Sequence, residues 1–422
     1  MTATLTAPPA TTSVRTHRPW ISVYAVMFFS TWAGNQFSPL LLLYKQREHY
    51  GVVAVNGFLG VYVLGLVPAF LLSGALADRH GRRPVMFGGV LAALAASTAL
   101  AFGETGPLMI CVGRFLAGLA VGTATCVGTS WLKELSQGVY DPRADTGAGA
   151  RRATTSFALG SATGAMVAGL FAQWGPWPLQ LPFAIHLVLT LPFAWLVLRA
   201  PETAPPGPRS SLRVPAAGDR RFRRVVVVAA PWLFVAPSVT YGYLPVLLEE
   251  TTGGVGIAYA TLLTVLALGV SALIQPVVKR RTGFDSTRGL IAAITLITAG
   301  VALAATANHL QSWAAGLVTA TVMGCGIGVG MVSAIMEVQR IAGPRDLAGL
   351  TGVFYAVAYT GFLTPTLLAA STDALGTTTP LLGVTGLGVL SVLLLVIAYR
   401  TLRPADPEVA ASRPPRRPVP RP

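Results

Sequence analysis

Gly74-Ala75-Leu76-Ala77-Asp78-Arg79-His80-Gly81-Arg82-Arg83 lies where two long apolar runs, residues 53–76 and 84–103, meet. A helix needs about 20 apolar residues to cross about 30 Å of hydrocarbon, and each of these runs is long enough. The charged stretch between them therefore reads as a turn joining two membrane spans. Gly81 supplies a backbone that can bend tightly. Gly74 permits close packing near a helix end, and Asp78 suits a helix N-terminus. The three arginines mark a side, because Lys and Arg collect in cytoplasmic loops.

The rest of the chain supports this reading. Of its 422 residues, 53% are hydrophobic and only 11% charged, with a mean hydropathy of +0.62. A soluble protein carries roughly 25% charged residues, so the solvent here is largely lipid. Twelve segments are long and apolar enough to span: 20–44, 53–76, 84–103, 107–131, 152–174, 179–198, 225–248, 257–278, 289–307, 312–339, 347–370 and 378–399. The first is too long for the apolar core of a signal peptide and is expected to be a retained helix.

The formal charge of +15 would suggest nucleic acid in a soluble protein. Placement decides against it. With the N-terminus inside, 28 of the 31 bases fall in inner segments. Lys45 and Arg47 fall outside, and Arg114 lies within a span. The split predicts an even number of spans and cytoplasmic termini in the cell's inner membrane.

The longest inner loop, 199–224, is rich in proline and arginine and reads as a cytoplasmic linker. It separates a six-helix bundle at 20–198 from another at 225–400, and the polar tails 1–19 and 401–422 read as disordered. The halves echo each other: Phe37-Ser38-Pro39 against Tyr243-Leu244-Pro245, and Gly118/Gly122 against Gly324/Gly328 and Gly326/Gly330. Small residues four apart let helices approach closely in lipid, and matching halves suit a duplicated transporter unit. Cys111, Cys126 and Cys325 sit in apolar stretches without metal-ligand spacing, so neither disulfides nor a metal is expected. There is no Walker motif, and no cofactor is expected. An intramembrane enzyme would need paired aspartates, HExxH or a Ser/His pair within spans, and no convincing case is present.

The run from Gly74 to Arg83 resembles the loop 2–3 signature of the major facilitator superfamily, Gly-x-x-x-Asp-Arg-x-Gly-Arg-Arg/Lys, at every defined position. The resemblance extends over residues 20–400. It implies an all-α membrane protein with twelve helices in two pseudo-symmetric six-helix bundles around a central cavity. It also implies that Gly74, Asp78, Arg79, Gly81, Arg82 and Arg83 form a conformational latch, with Asp78 meeting the start of helix 11 near Asp346-Leu347. A degenerate echo, Arg281-Thr282-Gly283, occupies loop 8–9.

Arg114 is the one base within a span, and such charges generally face a cavity or partner. Arg114-Phe115-Leu116-Ala117-Gly118 resembles the family antiporters' helix 4 Arg-x-x-x-Gly motif, which is linked there to proton coupling. Snorkelling to the interface is the other reading. His186, Asn35 and Gln36 fall at comparable depth, so the four are expected to share a polar patch in the cavity. His186 either carries a proton or is a hydrogen-bonded structural residue. Tyr241 and Tyr243, with Trp232, are further cavity candidates. Trp20, Tyr44, Trp131 and Trp174 suit interfacial belts. Glu337 is expected to pair with Arg340, and helices 1–6 hold no deep acid. Helix 5 has Gly164-Ala165 where the drug exporters often have Gly-Pro.

The expectation is a secondary active transporter working by alternating access: a monomer in the lipid bilayer that effluxes a small, partly apolar molecule or metabolite by proton antiport. The alternative is an importer or facilitator of a small solute, with an anionic one fitting Arg114.

Overall fold

A computed structural model describes residues 18–145, 147–203, 214–279, 285–342 and 347–402. No strand occurs among the described residues. In hydrocarbon each backbone amide must be satisfied within the protein, and a helix does this along its own length.

Among the described residues, twelve spans follow in order. They are α1 (Trp20–Asn35, resuming as Leu40–Arg47), α2 (Val52–His80), α3 (Arg82–Ala101), α4 (Pro107–Leu135), α5 (Ala148–Trp174) and α6 (Leu181–Val197). The second half has α7 (Phe222–Leu247), α8 (Gly256–Lys279), α9 (Ser286–His309), α10 (Trp313–Ile341), α11 (Gly349–Leu375) and α12 (Thr378–Thr401). Ten of these stretches are long and apolar enough to cross a membrane. The two exceptions have causes in the sequence. Where one span over 20–44 was expected, α1 breaks at residues 36–39: Pro39 has no amide to give the helical ladder, and the chain closes tighter turns there instead, with the Ser38 amide on the Asn35 carbonyl and the Leu40 amide on the Phe37 carbonyl. α6 is simply short.

Alternation places one set of connections, including the turn at Gly81 and residues 200–203, on what we term the terminal face. The other set, including residues 48–51 and 248–255, lies on the distal face. Leu108, Val188, Leu273 and Leu367 stand exposed on the outer faces of their helices, as a lipid-facing surface requires.

Each half packs its own core. In the first, α4 crosses α2 with almost no side chain between them. A Cβ on Gly118 would fall onto the Tyr62 carbonyl oxygen and 2.8 Å from the Leu66 nitrogen. In the second half, Gly324 and Gly328 turn to α8, while Gly326 turns to α9. The Gly-rich run of α10 is therefore packing surface. The halves meet along α2 against α11 and α5 against α8.

Candidate functional site

The 74–83 turn gathers four pieces of chain. Gly81, with φ +95°, ends α2 and admits α3. The Arg82 guanidinium donates to Asp78 at 2.7 Å and to Glu134 of α4 at 3.2 Å. Glu202, just past α6, accepts the amides of Arg82 and Arg83 at 2.8 and 2.9 Å. A carboxylate there satisfies two orphan donors of α3 and complements its dipole. A Cβ on Gly81 would stand 2.6 Å from the Glu202 carboxylate. Thr203 donates its hydroxyl to Glu134, and the Trp131 indole donates to the Pro201 carbonyl at 3.0 Å. Gly74 faces Cys126 of α4, Arg79 is exposed and Arg83 is half-buried. Asp346 and Arg281-Thr282-Gly283 lie outside the described residues. The partner Asp78 takes among the described residues is Arg82.

Arg114 is 1% exposed. Its Nε donates to the Phe58 carbonyl at 3.2 Å and its Nη1 to the Gly34 carbonyl at 3.0 Å. The Phe37 and Tyr62 rings flank the guanidinium, with centroids at 4.8 and 4.4 Å. The snorkelling reading fails, since these contacts hold the charge inside between α1, α2 and α4.

The expected four-residue patch does not form. Gln36 donates to Ser97 of α3 at 2.8 Å, and Ser97 meets His186 Nδ1 at 2.8 Å. His186 Nε2 meets the Phe29 carbonyl at 2.9 Å. A carbonyl only accepts, so Nε2 carries the proton and Nδ1 accepts from Ser97. This chain lies between α1, α3 and α6, and its three side chains are fully buried. Asn35 turns instead to Ser161 of α5 at 3.1 Å.

The second half divides its candidates likewise. Between Ser238 and Tyr243, α7 widens into π-type turns directly after Pro237, which supplies no amide. Tyr241 is thereby set at the join with Tyr62 and Tyr359. Tyr243 instead meets Thr372 of α11 at 3.3 Å, and Trp232 donates to Ser391 of α12 at 3.0 Å. The join itself is aromatic. Tyr359 stacks on Phe234 at 3.7 Å and on Phe362 at 5.6 Å, while Phe70 stacks on Tyr355 at 4.8 Å.

Two further expectations are corrected. Glu337 pairs with Arg221 and accepts from Ser286, rather than pairing with Arg340. Tyr44 and Trp131 are fully buried, not interfacial, whereas Trp174 is exposed.

The Major Facilitator Superfamily profile matches residues 20–364. The chain belongs to that superfamily. It is a multi-pass membrane transporter and not an enzyme. Multidrug resistance protein MdtL of Escherichia coli O81 (strain ED1a) is 28% identical over 295 residues, covering 67% of this chain and 72% of that protein. Two solved structures share the fold. A mutant of the nucleoside transporter NupG has a TM-score of 0.70 at 13% identity, covering 90% of this chain and all of that one. The human organic anion transporter MFSD10 (TETRAN) has a TM-score of 0.65 at 19% identity, covering 92% and 100%.

In this superfamily member the bundles touch at the distal face through polar groups. Lys45 donates to Glu249 at 2.5 Å, and Gln46 to the same carboxylate at 3.0 Å. Gln173 of α5 donates to the Gly254 carbonyl at 2.6 Å and accepts the Ala258 amide at 3.0 Å. Thr366 of α11 donates to the Asn56 carbonyl at 2.9 Å. Sequence reasoning missed Glu134 and Glu202, and it read Glu249 only as a solvated helix end. For Glu134 and Glu202 the signal was scarcity: with 16 acids in the chain, each one beside a basic loop has few other roles.

Proposed function

We propose that this chain is a secondary transporter that exports small, partly apolar molecules in exchange for protons, by alternating access. The observation that carries this is the aromatic join. Phe234, Tyr359 and Phe362 come from both helices that the second bundle turns toward α2, and they offer flat apolar faces rather than a polar cage. The name of the MdtL relatives, multidrug resistance protein, agrees with that chemistry. The 28 bases on one side favour cytoplasmic termini in the inner membrane of a cell. The 74–83 turn then lies inside, where its cluster can latch one conformation.

The test is a proteoliposome assay with an imposed pH gradient and a panel of apolar and amphipathic solutes. Flux that follows the gradient and stops with a protonophore supports the reading. Flux indifferent to the gradient defeats proton antiport. It would favour the second reading, a facilitator of a small anionic solute, which Arg114 keeps open because no carboxylate pairs with it among the described residues.

A further inference from the structure

We infer that the join between the bundles holds a subsite for a carboxylate, and that the transported class includes planar organic anions. This names a substrate class for the transporter proposed above and rests on that reading.

The argument is a count of donors and acceptors. A guanidinium has five N–H donors and accepts nothing. Arg114 spends two of its nitrogens on the carbonyls of Phe58 and Gly34. Among the described residues no hydrogen bond leaves Nη2, and no carboxylate pairs with the charge. Among the described residues the ion pairs lie toward the two faces. From the opposite bundle comes Tyr241, 4% exposed and in one buried cluster with Tyr62, whose ring flanks the Arg114 guanidinium at 4.4 Å. Its hydroxyl also has no hydrogen-bond partner among the described residues. A guanidinium from one bundle and a phenol from the other thus border the same aromatic cluster, and among the described residues no carboxylate stands between them.

A buried charge that lacks its counter-ion is costly, and an arriving anion removes that cost. A carboxylate fits best, since it is acceptor-only and can take a guanidinium edge and a phenol together. A neutral amide supplies one acceptor and no charge, while an ammonium is repelled. The Tyr359 ring lies 6.2 Å from the Tyr62 ring and stacks on Phe234. The apolar platform therefore begins where the polar corner ends. A ligand that fills both has a carboxylate at one end and a flat apolar body at the other.

The experiment uses the full-length protein with three probes of one shape: 2-naphthoate, 2-naphthamide and 2-naphthylmethylamine. Binding is read as thermal stabilisation in detergent, and flux is read in proteoliposomes under a pH gradient. 2-Naphthoate is expected to bind at least tenfold more tightly than the amide, with the amine weakest. Tyr241→Phe should shrink the carboxylate-to-amide preference severalfold while amide binding persists. Arg114→Gln should abolish the preference, and Arg114→Lys should restore part of it. Should the Arg114 variants fail to fold, Tyr241→Phe alone decides. Equal affinity for naphthoate and naphthamide overturns the subsite, as does an unchanged preference in Tyr241→Phe. Gradient-driven amide flux without carboxylate preference sinks the subsite and leaves the exporter standing. Carboxylate preference without any flux does the reverse.

Discussion

Replacing Gly118 by alanine adds one methyl group where α4 crosses α2, and the structure says what it meets. The new Cβ falls onto the Tyr62 carbonyl oxygen and 2.8 Å from the Leu66 nitrogen. Both obstacles are backbone and cannot rotate away. Ordinary contact needs about 3.5 Å, so the helices must part by roughly 0.7 Å or more. Overpacking of this kind costs about 1–3 kcal/mol, and the rigid obstacles put this site toward the upper end. Arg114 sits one turn earlier on α4 and is anchored to the Phe58 and Gly34 carbonyls, so the shift also drags the charge. The matched comparison is Gly88→Ala, in the interior of α3, where an added Cβ meets nothing within 4 Å. There alanine should stabilise by about 0.5–1 kcal/mol through lost chain entropy. Both variants are measured by thermal unfolding of detergent-solubilised protein. The expected order is Gly88→Ala at or above wild type and Gly118→Ala clearly below. If Gly118→Ala melts with wild type, the α2–α4 crossing is not as close as described and the reasoning about Arg114's placement goes with it.

Four other outcomes are expected. Glu202→Gln keeps one good acceptor for the α3 amides but loses the charge, so it should cost about 1 kcal/mol in unfolding, and a wild-type melting curve would exclude the cap. Glu337→Gln strands Arg221 against a buried site, for which about 3 kcal/mol is expected; expression and thermal melting report it. Lys45→Met and Glu249→Gln, taken as a double-mutant cycle, should couple by only about 0.5–1 kcal/mol because both side chains are partly exposed, and additive single effects would show that the pair does not act. Asp78→Asn should impair transport while leaving membrane insertion intact, and unchanged flux in that variant removes the latch role.

The spans were legible because lipid leaves a helix no alternative and forces the bases to one side. The break in α1 was written in Ser38-Pro39 but hidden by the apolar run that continues past it. Arg114 was legible because it is the one base within a span, although only its contacts decided against snorkelling. The company it keeps was not. Depth along a helix follows from counting residues, whereas facing does not, since each residue turns the side chain by about 100°. Asn35 and Gln36 share a depth and yet face α5 and α3, so the patch expected from depth alone came apart. Tyr241 and Tyr243 show the same effect, two residues and more than half a turn apart. Glu202 lay beyond reach for another reason. Its amide donors are about 120 positions away, and nothing local marks a carboxylate as the cap of a helix so distant.

The contacts between the bundles differ in kind from one level to the next, and this bears on how the molecule can move. At the distal face they are polar and partly exposed: Lys45 with Glu249, and Gln173 with the 254–258 backbone. Breaking such contacts in water costs only about 1–3 kcal/mol in total, because water replaces each partner. The seam that Tyr62 and Phe70 of α2 form with Tyr355, Tyr359 and Phe362 of α11 is different. Wetting a few hundred Å² of aromatic surface costs on the order of 5–10 kcal/mol at about 25 cal/mol per Å². The seam, not the polar contacts, therefore dominates the energy of separating the halves at mid-depth. A solute with a flat apolar body restores the lost stacking as it enters, so it lowers that energy where a small polar solute does not. Under the proposed export of partly apolar solutes, parting of the halves is therefore governed by this seam, while the distal polar contacts add little resistance.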